Sequence, residues 1–148
     1  MVIGFFVEDY VGISYPHTDA LVLTLIVVNH NVYHILVDNG SSADVLYWSV
    51  FKKLNLGQEK IVPTSCLLMG FILEQVQSIG LIELPVIGST YSRQATIMVQ
   101  FFVGRLIVGQ TTIIGRVALN ELRAITSTLQ LKMKFLTDHR VGEVRGNQ

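Results

Sequence analysis

Two stretches of this sequence share one arrangement, in which an apolar strand-like run enters a glycine and then a helix-like run. They are residues 35–46 (ILVDNGSSADVL) and residues 111–122 (TTIIGRVALNEL). Glycine has no Cβ, so another backbone can pass close beside it. The first stretch also places a carboxylate, Asp38, at the end of a strand whose residue types favour burial. Two glycine crossings beside one carboxylate predict a rigid cradle around Asp38.

Taken alone, the residues that follow Asp38 have a simpler interpretation as a turn with a helix cap, which Asp, Asn and Ser commonly form. Asn39-Gly40-Ser41 also matches an N-glycosylation acceptor. The N-terminus has neither the basic start nor the small-residue cleavage site of a signal peptide, so glycosylation is disfavoured. Ser41 lacks the Gly-x-Ser-x-Gly pattern of a nucleophile elbow, which argues against a serine hydrolase.

Composition indicates one strand-rich domain without metal or cofactor. The 148 residues are 50% apolar and 15% charged, with three prolines, a mixture typical of a compact chain. Cys66 is the only cysteine, which excludes an intrachain disulfide and a cysteine-based zinc cluster. His30 and His34 are four residues apart, but they lie across a predicted hairpin turn and not on a helix. The four histidines are better explained as surface or turn residues than as zinc ligands: His17, His30, His34 and His139.

Charge and hydropathy also bound the partners. Eleven basic residues balance eleven acidic ones, so no overall field favours direct nucleic-acid binding or an anionic membrane. The apolar runs at residues 21–28 and 101–108 are far shorter than the roughly 20 residues of a membrane-spanning helix. We therefore expect a soluble, intracellular and cytoplasmic protein.

The pattern along the chain predicts mostly strands. Residues 21–28 and 32–37 form a hairpin with its turn at 29–31, which delivers Asp38 at its end. An amphipathic helix follows within residues 43–57, and a second helix covers 116–124. The remaining predicted strands lie within residues 65–87 (two strands with a bend near 73–77 and a turn at Gly88), 93–103, 111–115 and 129–135. Residues 1–18 are predicted as a loosely held leader, 19–137 as the domain and 138–148 as a polar tail leading towards a missing polyprotein partner domain.

Several of these segments resemble a known family. Asp38-Asn39-Gly40-Ser41 resembles the Asp-Thr/Ser-Gly-Ala/Ser signature of retropepsin-type aspartic proteases, and residues 113–116 (IIGR) resemble the element that closes their active-site loop. More narrowly, nearly the whole chain is similar, in order, to the protease segment of plant gypsy-class retrotransposon polyproteins. The segments that carry this similarity are YPHTDALVLTL, VDNGSSADVLYW, Gly70-Phe71, RQATIMVQF, ALNELRAITSTLQLKMKF and VGEVRG.

This resemblance implies an all-β, retropepsin-like closed barrel with one or two short helices and an active site at a homodimer interface. It implies an aspartic endopeptidase in which Asp38 from each chain and an activated water cleave a retroelement polyprotein. Gly40 would let the backbone turn beneath Asp38, and Ser41 would hydrogen-bond its outer carboxylate oxygen. Asn39 would take the place of the Thr or Ser that joins the two active-site loops across the dimer. Loop support also includes Ile114 and Gly115, and the flap would comprise Met69, Gly70, Phe71 and Ile72.

Two alternatives remain open at this point. The related elements carry a small or polar residue and then a glycine after Gly-Phe, where this chain has Ile72-Leu73. That difference favours a catalytically inactive remnant that acts as a dimerisation or peptide-binding module. Asp44 or Asp19 could be a second carboxylate of the same chain. The expected place of Asp44 at a helix start gives it a structural role there, with Arg116 as a candidate partner.

Overall fold

The computed structural model describes residues 3–63, 67–68, 76–90, 93–105, 112–138 and 140–147. Eleven strands and two short α-helices are present in this part of the chain. The strands are β1 Val22–Val27, β2 His30–Val37, β3 Asp44–Tyr47, β4 Val62–Pro63, β5 Leu67–Leu68, β6 Val76–Thr90, β7 Arg93–Arg105, β8 Ile113–Ile114, β9 Ala124–Ser127, β10 Lys132–Leu136 and β11 Val141–Arg145. The helices are α1 Trp48–Lys53 and α2 Arg116–Glu121.

The larger sheet closes on itself. Its strand order is β1-β2-β8-β3-β7-β6-β4, and β1 also pairs with β6 through Ile26 opposite Ile87 and Val27 opposite Val86. The strands β1-β2-β8-β3-β7-β6 form a continuous path, and the extra pairing joins its last strand, β6, to its first, β1. The result is a closed ring of six strands. The predicted closed barrel is confirmed, and its interior is packed with apolar side chains such as Leu23, Leu46 and Phe101, all fully buried.

The β1–β2 hairpin forms as predicted, with a different turn. Val28 and Asn29 have φ of 49° and 62°, and Val27 pairs with His30. Positive φ at both central residues is the conformation of the type I′ turn that matches the twist of a two-residue hairpin. His30 and Asn31 therefore belong to β2, and the predicted turn at 29–31 is shifted towards the N-terminus.

The first predicted helix begins later than its apolar spacing suggests. Residues 44–47 form β3, which runs parallel to β7 and pairs Val45 with Ile113 of β8. All four residues of β3 are buried, so pairing on both sides takes them into the sheet in preference to a helix. The α1 helix therefore begins at Trp48. The α2 helix is confirmed, although it ends before Ala124, which begins β9.

Two predictions concern β6 and the segment before it. The turn predicted at Gly88 is wrong, because Gly88 pairs with Ala95 within a continuous β6–β7 hairpin. A Cβ on Gly88 would come within 3.3 Å of the Phe135 ring, so the glycine serves packing. The predicted flap residues Met69, Gly70, Phe71 and Ile72 lie outside the described residues.

A second sheet of three strands, β11-β10-β9, packs on the barrel. Its edge strand β11 falls within the predicted polar tail, and the N-terminal segment lies against its middle strand. Asp9 is 3% exposed and binds Lys132 and Lys134 of β10 with nitrogen–oxygen distances of 3.0 and 2.7 Å. Within the described residues, Asp9 of the predicted leader is bonded to the second sheet, and Val141–Arg145 of the predicted tail forms one of the strands of that sheet. The domain boundaries themselves remain a prediction.

Candidate active site

Asp38 is held in place through its backbone by a strand from a distant part of the chain. Strand β2 runs parallel to β8, with Val37 opposite Ile114. The Asp38 amide then donates to the Ile114 carbonyl at 2.9 Å. Because Ile114 is fully buried, this bond ties the candidate catalytic residue to the barrel interior.

The loop after Asp38 leaves one of its carboxylate oxygens unused. The Gly40 amide donates to Asp38 Oδ1 at 2.9 Å, and the Ser41 amide donates to the Asp38 carbonyl at 3.2 Å. These bonds form a tight turn of the kind that Asp commonly starts. A Cβ on Gly40 would stand 3.3 Å from Asp38 Oδ1, so glycine keeps this approach open. Asp38 Oδ2 is buried without a hydrogen-bond partner among the described residues, so this part of the chain does not satisfy its hydrogen-bonding capacity.

Ser41 lies in the loop as predicted but makes a different contact. Its hydroxyl donates to the Ala43 carbonyl at 2.7 Å and accepts from the Ala43 amide at 3.2 Å. The predicted hydrogen bond from Ser41 to the outer oxygen of Asp38 is therefore wrong in this chain. The serine stabilises the bend that leads into β3.

Asn39 is exposed and bonded within its own chain. Its side-chain Nδ2 donates to Thr126 Oγ1 of β9 at 2.9 Å. The interaction connects the Asp38 loop to the three-stranded sheet. The role expected for Asn39, a connection between two active-site loops across a dimer, remains a prediction.

Gly115 confirms the reason given for a glycine at the second crossing. A Cβ there would lie 2.6 Å from the Ser41 carbonyl oxygen and 2.7 Å from that of Ala43. The Arg116 amide donates to the same Ser41 carbonyl at 2.9 Å. The two strand-glycine-helix units are thus in backbone contact, as the predicted cradle requires.

Asp44 joins the two units from inside. It is 2% exposed, and its Oδ1 accepts the Gly115 amide at 2.6 Å. Burial raises the pKa of the Asp44 carboxyl, while hydrogen bonds from the backbone amides of Gly115 and Ala118 partly oppose the rise. Asp44 therefore belongs to β3 and holds the start of α2, so its predicted position at the start of α1 is wrong.

The proposed pair between Asp44 and Arg116 does not form. Arg116 is exposed, and no ion pair joins the two among the residues that the structure describes. The sequence pattern predicts Asp44 only as a catalytic alternative or as a helix-start residue. An acidic side chain inside an apolar strand, six positions after Asp38, was the available signal for a buried role that backbone amides satisfy.

The described residues include no group of three or more His, Cys, Asp or Glu side chains that would hold a metal ion. The same residues include no helix long and apolar enough to cross a bilayer. The arrangement that remains is one carboxylate with a free oxygen at the end of a strand, supported by two backbone crossings.

No protein-family model and no curated protein matches the chain. Several solved structures are similar to it. The retroviral protease-like domain of Ddi1 from Leishmania major is similar with a TM-score of 0.64 at 14% identity, over 89% of this chain and 97% of that one. EIAV protease complexed with the inhibitor HBY-793 gives 0.52 at 20% identity, over 78% and 99%. A retropepsin-like aspartic protease from Rickettsia conorii gives 0.50 at 17% identity, over 82% and 79%. The all-β fold is retropepsin-like, as predicted.

Proposed function

Starting from the retropepsin-like fold, we propose that this protein is an aspartic endopeptidase that acts as a homodimer with Asp38 of each chain at its centre. The observation that carries the proposal is the set of hydrogen bonds and the burial of Asp38. Its backbone is fixed by Ile114, its Oδ1 is bound by the Gly40 amide, and its Oδ2 is buried without a partner in the described part of the chain. A buried carboxylate oxygen without a partner is costly for a structural residue, and a second carboxylic acid sharing a proton would satisfy it.

In this proposal the second carboxylate comes from another chain. Asp44 is the nearest acidic residue in sequence, but it is buried and accepts backbone amides from the start of α2. Moving Asp44 towards substrate would break the contact that holds Gly115. A symmetric dimer supplies the required second group, because a two-fold axis beside Asp38 brings the same residue from each subunit together.

The chemistry follows from two carboxyl groups that cannot both ionise cheaply at short distance. One is charged and accepts a proton from a bound water, whose oxygen attacks the peptide carbonyl carbon. The other is protonated and donates to the carbonyl oxygen as the tetrahedral intermediate forms. Collapse of the intermediate breaks the C–N bond, with a proton passing to the leaving amine. The pair titrates as one unit with two apparent pKa values.

The substrate we propose is a peptide in extended conformation, bound as an added strand by main-chain hydrogen bonds. The similarity of the sequence to plant gypsy-class polyproteins makes a retroelement polyprotein the natural substrate class. The flap that would close over it includes Met69 to Ile72. We further propose that the protein works in solution inside the cell.

Two contacts favour the alternative of a catalytically inactive dimerisation or peptide-binding module. The Asn39 amide is bonded to Thr126 of its own chain, and the Ser41 hydroxyl to Ala43. In this state neither side chain is available for the role that the family resemblance implies for it. The inactive module would keep the fold and the dimer while lacking turnover.

Hydrolysis of a peptide library by purified protein, at acidic to neutral pH, distinguishes the two functions. We expect Asp38→Asn to lower the rate by at least roughly a hundredfold, because the shared proton and the base are both lost. Asn retains an oxygen for the Gly40 amide, so the free energy of unfolding should change by less than about 1 kcal/mol. Asp138→Asn, an exposed change of the same kind, is the matched control and should leave the rate unaltered.

Sedimentation of the same samples completes the test. Equal activity in wild type and Asp38→Asn would end the aspartic-protease proposal. A dimer without activity in either protein would favour the inactive module. A monomer without activity would contradict both functions.

A further inference from the structure

A cavity of about 390 Å³ lies between the beginning of β2 and the α1 helix. Its apolar part is formed by Val32, Val50 and Leu54, of which Val32 and Leu54 are buried. This volume is within the usual range for sites that bind small molecules. The cavity lies beside the first half of β2, and His34, its lining residue nearest to Asp38 along the strand, is about 13 Å from Asp38 by the rise of an extended strand.

Basic side chains surround the opening. Lys53, His30 and His34 line the cavity, and none of its described lining residues is acidic. No described residue forms an ion pair with Lys53. His30 Nδ1 lies 2.7 Å from the Val28 carbonyl, and since a carbonyl only accepts, this nitrogen carries the proton of the neutral ring. Its Nε2 is then an acceptor, so His30 shapes the opening without offering an anion a donor.

The β2 strand is also irregular at this site. The register between β1 and β2 shifts between Leu23 and Leu25, and His34 opposite this shift has a φ of 59°. Such a bulge changes the direction in which a side chain points. His34 is among the residues that line the cavity as a result.

Thr112, one of the residues that line the cavity, has a buried hydroxyl without a partner in the described part of the chain. Thr112 is 1% exposed and lines the cavity, and its Oγ1 has no hydrogen-bond partner among the described residues. Its carbonyl is already engaged by the Leu36 amide at 2.8 Å, which holds the residue in place beside β2. Buried polar atoms are nearly always paired in folded proteins, so an unpaired one on a cavity wall points to a ligand.

We propose that this cavity binds a small organic anion, in which a carboxylate or phosphate group meets Lys53 and His34 while an apolar body packs on Val32 and Val50. The Thr112 hydroxyl donates to an oxygen of the same ligand. Lysine and histidine are suitable donors to anionic oxygens, and hydrogen bonds with a charged partner are the stronger kind. The site is separate from Asp38 and does not depend on the proposed endopeptidase activity.

Titration of ¹⁵N-labelled protein with benzoate, phenyl phosphate and inorganic phosphate, followed by NMR at constant ionic strength, tests the proposal. We expect saturable shifts of the amides of Ser49, Val50 and Lys53 with at least one aromatic anion. Stronger binding of phenyl phosphate than benzoate would identify a phosphate ester as the ligand class, and the reverse a carboxylate. Inorganic phosphate should bind more weakly than phenyl phosphate, because it lacks the apolar body.

Matched variants separate a built site from general attraction to positive charge. Lys53→Gln should weaken binding roughly tenfold, whereas Lys60→Gln, which removes a lysine from a different cavity, should leave it unchanged. Thr112→Val keeps the side-chain shape and should weaken binding several-fold if it folds. Asp38→Asn should bind like wild type. Shifts that fail to saturate, or equal loss in both lysine variants, would overturn the proposal.

Discussion

Asp44 and Asp9 are both nearly inaccessible to solvent, yet the surroundings of the two carboxylates differ completely. Asp44, in the candidate active-site cradle, is bonded by the neutral backbone amides of Gly115 and Ala118. Asp9, in the N-terminal segment, is bonded by the ammonium groups of Lys132 and Lys134. The first carboxylate holds two backbone segments together, and the second holds a segment against a sheet.

The difference appears in the direction of each pKa. Burial raises the pKa of Asp44, and two amide hydrogen bonds do not reverse the effect. Burial also acts to raise the pKa of Asp9, but hydrogen bonds from Lys134, the Phe6 amide and Lys132 outweigh it and lower the pKa from 3.8 to about 2. Neutral donors satisfy a buried carboxylate geometrically, whereas cationic donors also stabilise its charge.

The largest effect should come from removing the carboxylate between the two lysines. Asp9→Ala leaves Lys134 buried without a counterion and Lys132 with only Glu143 at 3.8 Å. We expect the free energy of unfolding to fall by about 3 to 5 kcal/mol, measured by urea denaturation. Glu8→Ala, an exposed change at the neighbouring position, should cost less than about 0.5 kcal/mol.

A rescue experiment makes this first prediction specific to charge. Replacing the buried ions together, as Asp9→Leu with Lys132→Met and Lys134→Met, should recover much of the lost stability, because buried ion pairs exchange for apolar groups at little cost. If the triple variant were as unstable as Asp9→Ala, packing of the N-terminal segment would explain the loss, and the ion pairs would not.

In the candidate active-site cradle, Gly115→Ala should cause the next largest loss in the free energy of unfolding. The new Cβ would meet the Ser41 and Ala43 carbonyl oxygens at 2.6 and 2.7 Å, which are backbone atoms that move only if the crossing opens. We expect a loss of about 2 to 3 kcal/mol in the free energy of unfolding. Gly4→Ala, where the nearest atom is a Phe6 ring carbon at 3.4 Å, is the control. Equal stability of the two variants would contradict the rigid crossing.

Asp9 and Asp44 should differ most clearly in how their contributions to the free energy of unfolding depend on pH. The lowered pKa of Asp9 means that its contribution is present above pH 3.8 and is lost as the pH falls towards 2, by about 2 kcal/mol. The raised pKa of Asp44 has the opposite sign: its contribution is full below pH 3.8 and declines as the pH rises through the window up to the raised folded value.

Unfolding free energies of wild type, Asp9→Asn and Asp44→Asn between pH 2 and 7 measure both slopes. The cost of Asp9→Asn should increase from pH 2 to 4, and the cost of Asp44→Asn should decrease as the pH rises above 3.8. Asp138→Asn, exposed in the structure, provides the reference curve. If the costs of Asp9→Asn and Asp44→Asn changed with pH in the same direction, the opposite pKa shifts of the two carboxylates would be contradicted.

Sequence patterns predicted the parts of this molecule that depend on local chemistry. The hairpin leading to Asp38, the short strand β8 and the need for glycine at position 115 all followed from residue type and order. The cradle was predicted because its two halves each carry a glycine after an apolar strand. The similarity to solved structures supports the fold without testing the roles assigned to Asn39, Gly40 or the flap.

The parts that sequence patterns missed depend on partners far along the chain. Residues 44–47 look helical until β7 and β8 pair on either side of them. Lys132 and Lys134 alternate with apolar residues in a way that suggests a solvated face, but Asp9 lies 123 and 125 positions away. Nothing local to β10 indicates that an N-terminal carboxylate covers both lysines.

The smallest effect should come from the exposed bond between Asn39 and Thr126, a third connection of the Asp38 loop that involves neither a buried charge nor a close backbone crossing. Asn39→Ala, Thr126→Val and the double variant form a cycle whose coupling in the free energy of unfolding should be about 0.5 to 1 kcal/mol. If Asn39 also connects two chains, Asn39→Ala should weaken dimerisation by sedimentation more than Thr126→Val does. Equal effects on dimerisation would confine Asn39 to its own chain and favour the inactive module, because the two loops would then lack the connection that the family resemblance implies.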